Sequence, residues 1–200
     1  MSRRLFTTGL LATGLSRPAF AADKLSLGAI SGYLNELTTV QGAFTQINDD
    51  GTIATGQISI HRPGRVRFEY DPPEPALVMA GGGQVAIFDP KSNQRPEQYP
   101  LRRTPLNLIL KRNVNLAQEN MVIGHGFDGT ATTVTAQDPE NPELGNIALK
   151  FTGPPVQLRQ WVITNQDGSQ STVILGDVKF GVRIGAGQFN IVREIERRGL

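Results

Sequence analysis

Residues 56–73, GQISIHRPGRVRFEYDPP, constrain the fold more than any other stretch of this chain. Ile58 and Ile60 alternate with Gln57, Ser59 and His61, and Val66, Phe68 and Tyr70 alternate with Arg65, Arg67 and Glu69. A period of two sends successive side chains to opposite faces, so the stretch predicts two strands, each with one apolar and one polar face. Pro63-Gly64 between them is turn chemistry, because proline presets φ near about −65° and glycine accepts a positive φ. The Pro63 ring also clashes with a helical conformation at the preceding residue and holds Arg62 extended. A guanidinium thus stands on a stiffened backbone at the lip of a sheet whose apolar face is aromatic and aliphatic.

The flanks extend this pattern. Leu27, Ile30, Leu34 and Leu37 form the apolar stripe of an amphipathic helix over roughly 26–39. A first strand is expected at 43–47, a turn at 48–51, and further strands at 77–80, 85–88 and 97–101. Residues 104–111 break the alternation. Thr104 as cap, Pro105 at the first helical position and the run Leu106, Leu108, Ile109, Leu110 predict a short helix. A second helical piece is expected around 116–119. Strands resume at 121–125, 132–136, 147–151, 158–164 and 171–178, with an exposed loop at 138–145 and a hairpin turn at 165–168. In the tail, residues 189–191 are expected as a last strand and 191–198 as coil or a short helix. Short strands joined by turns predict a mainly β fold with a few helices: a meander-type antiparallel sheet, strongly curved or barrel-like, over one domain.

The first 21 residues are set apart. Arg3 and Arg4 precede a short apolar run and Ala19-Phe20-Ala21 is a small-x-small cleavage site, the pattern of a signal peptide too short in its apolar part to span a membrane. Ser2-Arg3-Arg4-Leu5-Phe6 resembles a twin-arginine export signal, and an ordinary secretory signal fits as well. Both routes end in the periplasm. Arg3, Arg4 and Arg17 leave with this segment and no acid does, so the mature domain from residue 22 is near neutral, with no nucleic-acid footprint. Cysteine is absent, so stability must come from packing, and the mature N-terminus has no thiol to lipidate. A soluble monomer is expected.

The inventory for catalysis is thin. The two histidines are His61, on a predicted polar strand face, and His125, between glycines in a predicted turn. No transition-metal spacing and no nucleophile elbow is present. Gly124-His125-Gly126-Phe127-Asp128 reads as a tight turn rather than a His–Asp pair, and Gly81-Gly82-Gly83 joins strands instead of opening a helix. No cofactor and no catalytic residue is expected. A curved sheet with helices over its concave face makes an apolar cavity, the usual form of a small-molecule or lipid site; the same side chains also compose an ordinary core.

Gly56, Arg62-Pro63-Gly64, Arg67-Phe68, Tyr70 and Pro72 or Pro73 resemble the signature block of periplasmic outer-membrane lipoprotein carriers, the LolA family. Phe44-Thr45-Gln46, Phe88-Asp89-Pro90, the Thr104 to Leu110 helix and the segments Trp161 to Asn165 and Thr172 to Asp177 extend the likeness. The resemblance implies an incomplete antiparallel β-barrel whose short α-helices cover a cavity for lipoprotein acyl chains. It implies no enzymatic activity. The implied partners are an inner-membrane ABC-type lipoprotein-releasing complex and an outer-membrane receptor. Arg62 would bond to the lid-helix backbone and keep the cavity closed. Val66, Phe68, Tyr70, Leu106, Ile109 and Leu110 would be the ligand-contacting side chains. Alternatives on the same fold are a lipid-sensing regulator and a carrier of another apolar molecule such as a glycolipid. Ala86 stands where the family often has tryptophan, which would leave the cavity wider or differently filled there. Asn107 puts an amide into the lid, and the tail lacks a Pro-x-Gly ending after Phe189.

Overall fold

The computed structural model describes residues 23–73, 75–117 and 120–200; the expected signal peptide lies outside them. Helix α1 (Leu27–Glu36) opens the described chain, capped by the Ser26 hydroxyl, which accepts from the Ala29 amide. Eleven strands follow: β1 (Thr39–Asn48), β2 (Ile53–His61), β3 (Val66–Tyr70), β4 (Leu77–Gly81), β5 (Gln84–Phe88), β6 (Glu97–Pro100), β7 (Val122–Phe127), β8 (Thr132–Gln137), β9 (Asn146–Thr152), β10 (Gln157–Thr164) and β11 (Gln170–Phe180). A one-turn helix α2 (Asn107–Leu110) lies between β6 and β7, and α3 (Ile191–Arg198) ends the chain.

All strands belong to one antiparallel sheet in the order β6-β5-β4-β3-β2-β1-β11-β10-β9-β8-β7. Two meanders, β1 to β6 and β7 to β11, are therefore joined by the pairing of β1 with β11, and β6 and β7 remain as edges. The sheet is an open trough, not a closed barrel. It is strongly curved: Phe68 on β3 and Trp161 on β10 approach to 6.3 Å between ring centroids although three strands separate them. In a flat sheet strands four places apart would lie about 19 Å from each other. Bulges between Gly42 and Phe44 and between Leu158 and Gln160 help to bend it. Gly56 has a steric role at the same bend. A Cβ there would collide with the Glu69 carbonyl, and its absence lets the ring of Phe44, the residue opposite, lie over the backbone.

The main core fills the concave side. Ile30 and Leu34 of α1, Phe44, Ile58, Val66 and Phe68 of the first meander, and Val134, Leu149 and Trp161 of the second belong to one cluster. Residues 101–117, which follow β6 and contain α2, are bonded to the β2–β3 turn through Gly64 and to α1 through Ser31 and Asn35.

Several expectations change. The helix predicted from Pro105 starts only at Asn107: Pro105 and Leu106 form the preceding turn, and Thr104 donates its hydroxyl to the Leu101 carbonyl instead of capping. Leu116 and Ala117 are turn, not helix, and the rest of that expected piece lies outside the described residues. His125 lies within β7, where its Nε2 meets the Leu25 carbonyl at 2.9 Å; Asp128 pairs instead with Lys150. The strand expected at 189–191 is the end of a 3-10 turn and the start of α3.

The largest difference concerns the polar face of β2 and β3. Ser59 and Arg67 are buried there, Arg67 to 8% exposure, and the tail reaches Arg67 through the Gln188 carbonyl and Glu194. Leu77, Met79, Ala86, Phe88 and Ile191 form a second apolar cluster on this convex side. Ala86 therefore faces the outer cover, not the cavity, and its small side chain leaves room for α3.

Candidate functional site

The site is assembled where both helices meet the β2–β3 turn. An α-helix leaves its last carbonyls without intrahelical partners, and these attract cations. Arg62 stands at two such ends. Its Nη1 donates to the carbonyl of Leu37, the C-cap of α1, at 3.4 Å, and its Nη2 to that of Lys111, the C-cap of α2, at 2.6 Å, with the Arg112 carbonyl at 3.5 Å. The side chain is 8% exposed, and burial lowers the guanidinium pKa from its ordinary value. Backbone bonds reinforce the junction: the Arg62 amide donates to Thr38 and the Gly64 amide to the Leu110 carbonyl, at 2.8 Å each. One side chain thus ties α1, α2 and the strand turn together. Breaking the tie while the junction stays dry would strand its carbonyls, which favours the closed arrangement.

The other expected residues converge on the same interior. Val66, Phe68, Leu106, Ile109 and Leu110 are buried in one continuous core. Phe44 packs edge-on against both Phe68 and Tyr70, at 5.3 and 5.1 Å. Tyr70 sits at the margin: it is partly buried, and its hydroxyl donates to Gln46 Oε1 at 2.6 Å. Burial pushes its phenol up to about 12, against the lowering effect of that bond. A pocket of about 510 Å³ opens beside it, lined among others by Ala54, Tyr70, Ala76, Ile87 and Phe88. The seven residues therefore form one apolar interior with a polar fastening at one end and a partly open margin at the other.

Two polar residues of α1 belong to the fastening and were missed by sequence reasoning. Asn35 both accepts from the Val114 amide and donates to the Val114 carbonyl, at 2.9 Å each, as a neighbouring strand would. Ser31 accepts from the Leu116 amide at 2.9 Å. Leu27, Ser31 and Asn35 fall four apart and so lie in one row along the helix, which is the signal that points to them. Neither histidine joins this group. His61 packs its ring on Phe189 of the outer cover at 5.9 Å, and burial lowers its pKa.

Comparison with known proteins agrees with this architecture. The chain is 28% identical over 196 residues to an outer-membrane lipoprotein carrier protein of Pseudomonas paraeruginosa, covering 94% of this chain and 92% of the relative. A carrier of the same description from Xylella fastidiosa is 35% identical over 114 residues, covering 53% of this chain and 51% of that one. A solved domain from Vibrio parahaemolyticus, provisionally named an outer membrane lipoprotein-sorting protein, shares the fold at a TM-score of 0.52 and 9% identity, covering 82% of this chain and 94% of that one. The model of the family described as outer membrane lipoprotein carrier protein LolA matches residues 35–192, and the chain belongs to that family.

Proposed function

We propose that this chain is a non-enzymatic carrier for lipoproteins. Exported by a cleaved signal peptide over residues 1–21, its single domain from residue 22 works in the periplasm. It takes lipoproteins from an inner-membrane ABC-type releasing complex and delivers them to an outer-membrane receptor. The acyl chains occupy the trough among Val66, Phe68, Tyr70, Leu106, Ile109 and Leu110. The observation that carries this reading is the Arg62 fork, which closes an apolar interior through backbone carbonyls of both covering helices.

The energetics suit a shuttle. Burial of acyl chain gains roughly 0.8 kcal/mol per CH₂, so a permanently open trough would hold its cargo too tightly to release it. A latch that must break before lipid enters lowers apparent affinity in proportion to the rarity of the open state. Cargo then leaves readily, because Arg62 regains its carbonyls as the trough empties.

The test is mass spectrometry of material co-purifying with the periplasmic protein, wild type beside Arg62→Leu. Acylated lipoproteins enriched on the variant, with poor turnover in a lipoprotein-release assay, are expected. Normal cycling of the variant would sink the latch. Recovery of free glycolipid alone would assign the fold to a different apolar cargo.

A further inference from the structure

Among the described residues, three buried side-chain polar atoms have no hydrogen-bond partner: His61 Nδ1, Arg62 Nε and Trp161 Nε1. They are not equivalent. His61 belongs to the outer cover against Phe189, and its nitrogen settles its state by tautomer. Arg62 already donates through both terminal nitrogens. An indole, in contrast, has one N–H and no other polar atom, so it is satisfied by an acceptor or not at all.

Trp161 is 1% exposed, is flanked in register by Leu149 of β9 and Val173 of β11, and faces Phe68 across the trough. A buried, unmet donor in an otherwise apolar wall is rare, because phenylalanine would fill a similar space without it. We infer that Trp161 Nε1 is a recognition donor for a carbonyl oxygen of the trough's occupant. The preferred cargo is then an acyl ester or amide, in preference to a chain-matched hydrocarbon or ether. A hydrocarbon tail leaves the indole unmet, whereas an ester places an acceptor beside the apolar chain, as the head of an acylated lipid does. Trp161 thus adds a polar criterion to a cavity that would otherwise select only for greasiness. The inference rests on the carrier reading.

The sequence holds a single tryptophan, so a ¹⁵N-labelled sample gives one indole N–H signal. Titration with a diacylglycerol should move that signal downfield, and titration with the dialkylglycerol ether of equal chain length should not. Calorimetry with Trp161→Phe should show the preference for the diacylglycerol over the ether reduced about three- to tenfold. Equal binding of both lipids with no separate movement of the signal would overturn the assignment while leaving the carrier intact. So would a signal that is already hydrogen-bonded in the free protein, which a buried water would produce. Failure of both lipids to bind would remove the carrier reading and this inference with it. The wild-type titration does not depend on how well the Phe variant folds.

Discussion

The two covers of the sheet are built on opposite principles. On the concave side, α2 is a single turn without a side-chain cap, held by Arg62, by the Gly64 amide and, just beyond it, by Asn35 and Ser31. Nearly all of these bonds end on backbone atoms. On the convex side, α3 is fully terminated: Asn190 caps its start by accepting from the Arg193 amide, and Gly199 ends it at φ 70°. Its Glu194 is buried among Arg67, Arg197 and Arg198, while Arg198 also lies 4.9 Å over the Phe88 ring. Gly81 lets the backbone of Phe189 rest against β4, where any Cβ would collide with the Phe189 carbonyl. A cover fastened by one guanidinium to neutral carbonyls comes away without separating an ion pair. One fastened through a buried carboxylate and arginines does not. The difference suits a lid on one side and a permanent brace on the other.

The sharpest way to break this contrast is Glu194→Ala. It leaves Arg67 buried without its inner carboxylate and should cost about 3 kcal/mol, read from the midpoint of urea unfolding. A cost near zero would make α3 as removable as the lid.

Arg62→Leu should instead act locally. Hydrogen exchange of the amides around 107–111 should speed by about 30-fold, the worth of roughly 2 kcal/mol of lost bonding, with little change in global unfolding. Loss of global stability as large as that of the Glu194 variant would erase the distinction between the covers.

Acid provides the third test. Burial, which raises the Glu194 carboxyl, is outweighed by hydrogen bonds from Arg197 and Arg198 and by the charge of Arg67, leaving it at about 2 against 4.5 ordinarily. A depressed carboxylate stabilises the fold above its unfolded value, and that contribution is lost as pH falls from 4.5 toward 2. Stability followed over this window should drop more steeply for the wild type than for Glu194→Gln, and parallel curves would refute the assignment.

Asn35→Ala should raise exchange at Val114 by about tenfold while leaving α3 untouched. The smallest effect is expected for Tyr70→Phe, about 1 kcal/mol or less in urea, since it removes only the bond to Gln46 at the margin.

Much of the trough was legible from local pattern. The alternation of Val66, Phe68 and Tyr70 reports one face of one strand and requires nothing distant. The same pattern misled for Arg67, because what covers it, Glu194, lies 127 residues away. Alternation reports that two faces differ, and says nothing of whether the polar one meets water. The start of the tail, residues 189–191, was misread for a related reason, while the helical alternative for 191–198 is α3. Phe189-Asn190-Ile191 has a strand-like rhythm, yet Asn190 as cap, the basic Arg197-Arg198 and Gly199 are helix start and stop signals that the structure obeys. In the lid, Pro105 suits a tight turn as well as a helix start, so its presence did not decide the boundary. At the site, Arg62 was exposed by its unusual setting before proline, whereas Ser31 and Asn35 look like ordinary solvent-facing helix positions until the chain beyond α2 is laid against them.

The two free edges of the sheet carry a mechanical consequence. Since β6 and β7 are not paired with each other, the distance between them is not fixed by any ladder of hydrogen bonds. The trough behaves as a split ring: it can be sprung wider by small changes of twist spread over eleven strands, with every existing strand pair intact. Its capacity is then an elastic property of the frame and not a fixed volume. Under the proposed carrier role, a guest with one more or one fewer chain would meet a graded resistance, and the fastening at Arg62 would set where on that spring the empty molecule rests.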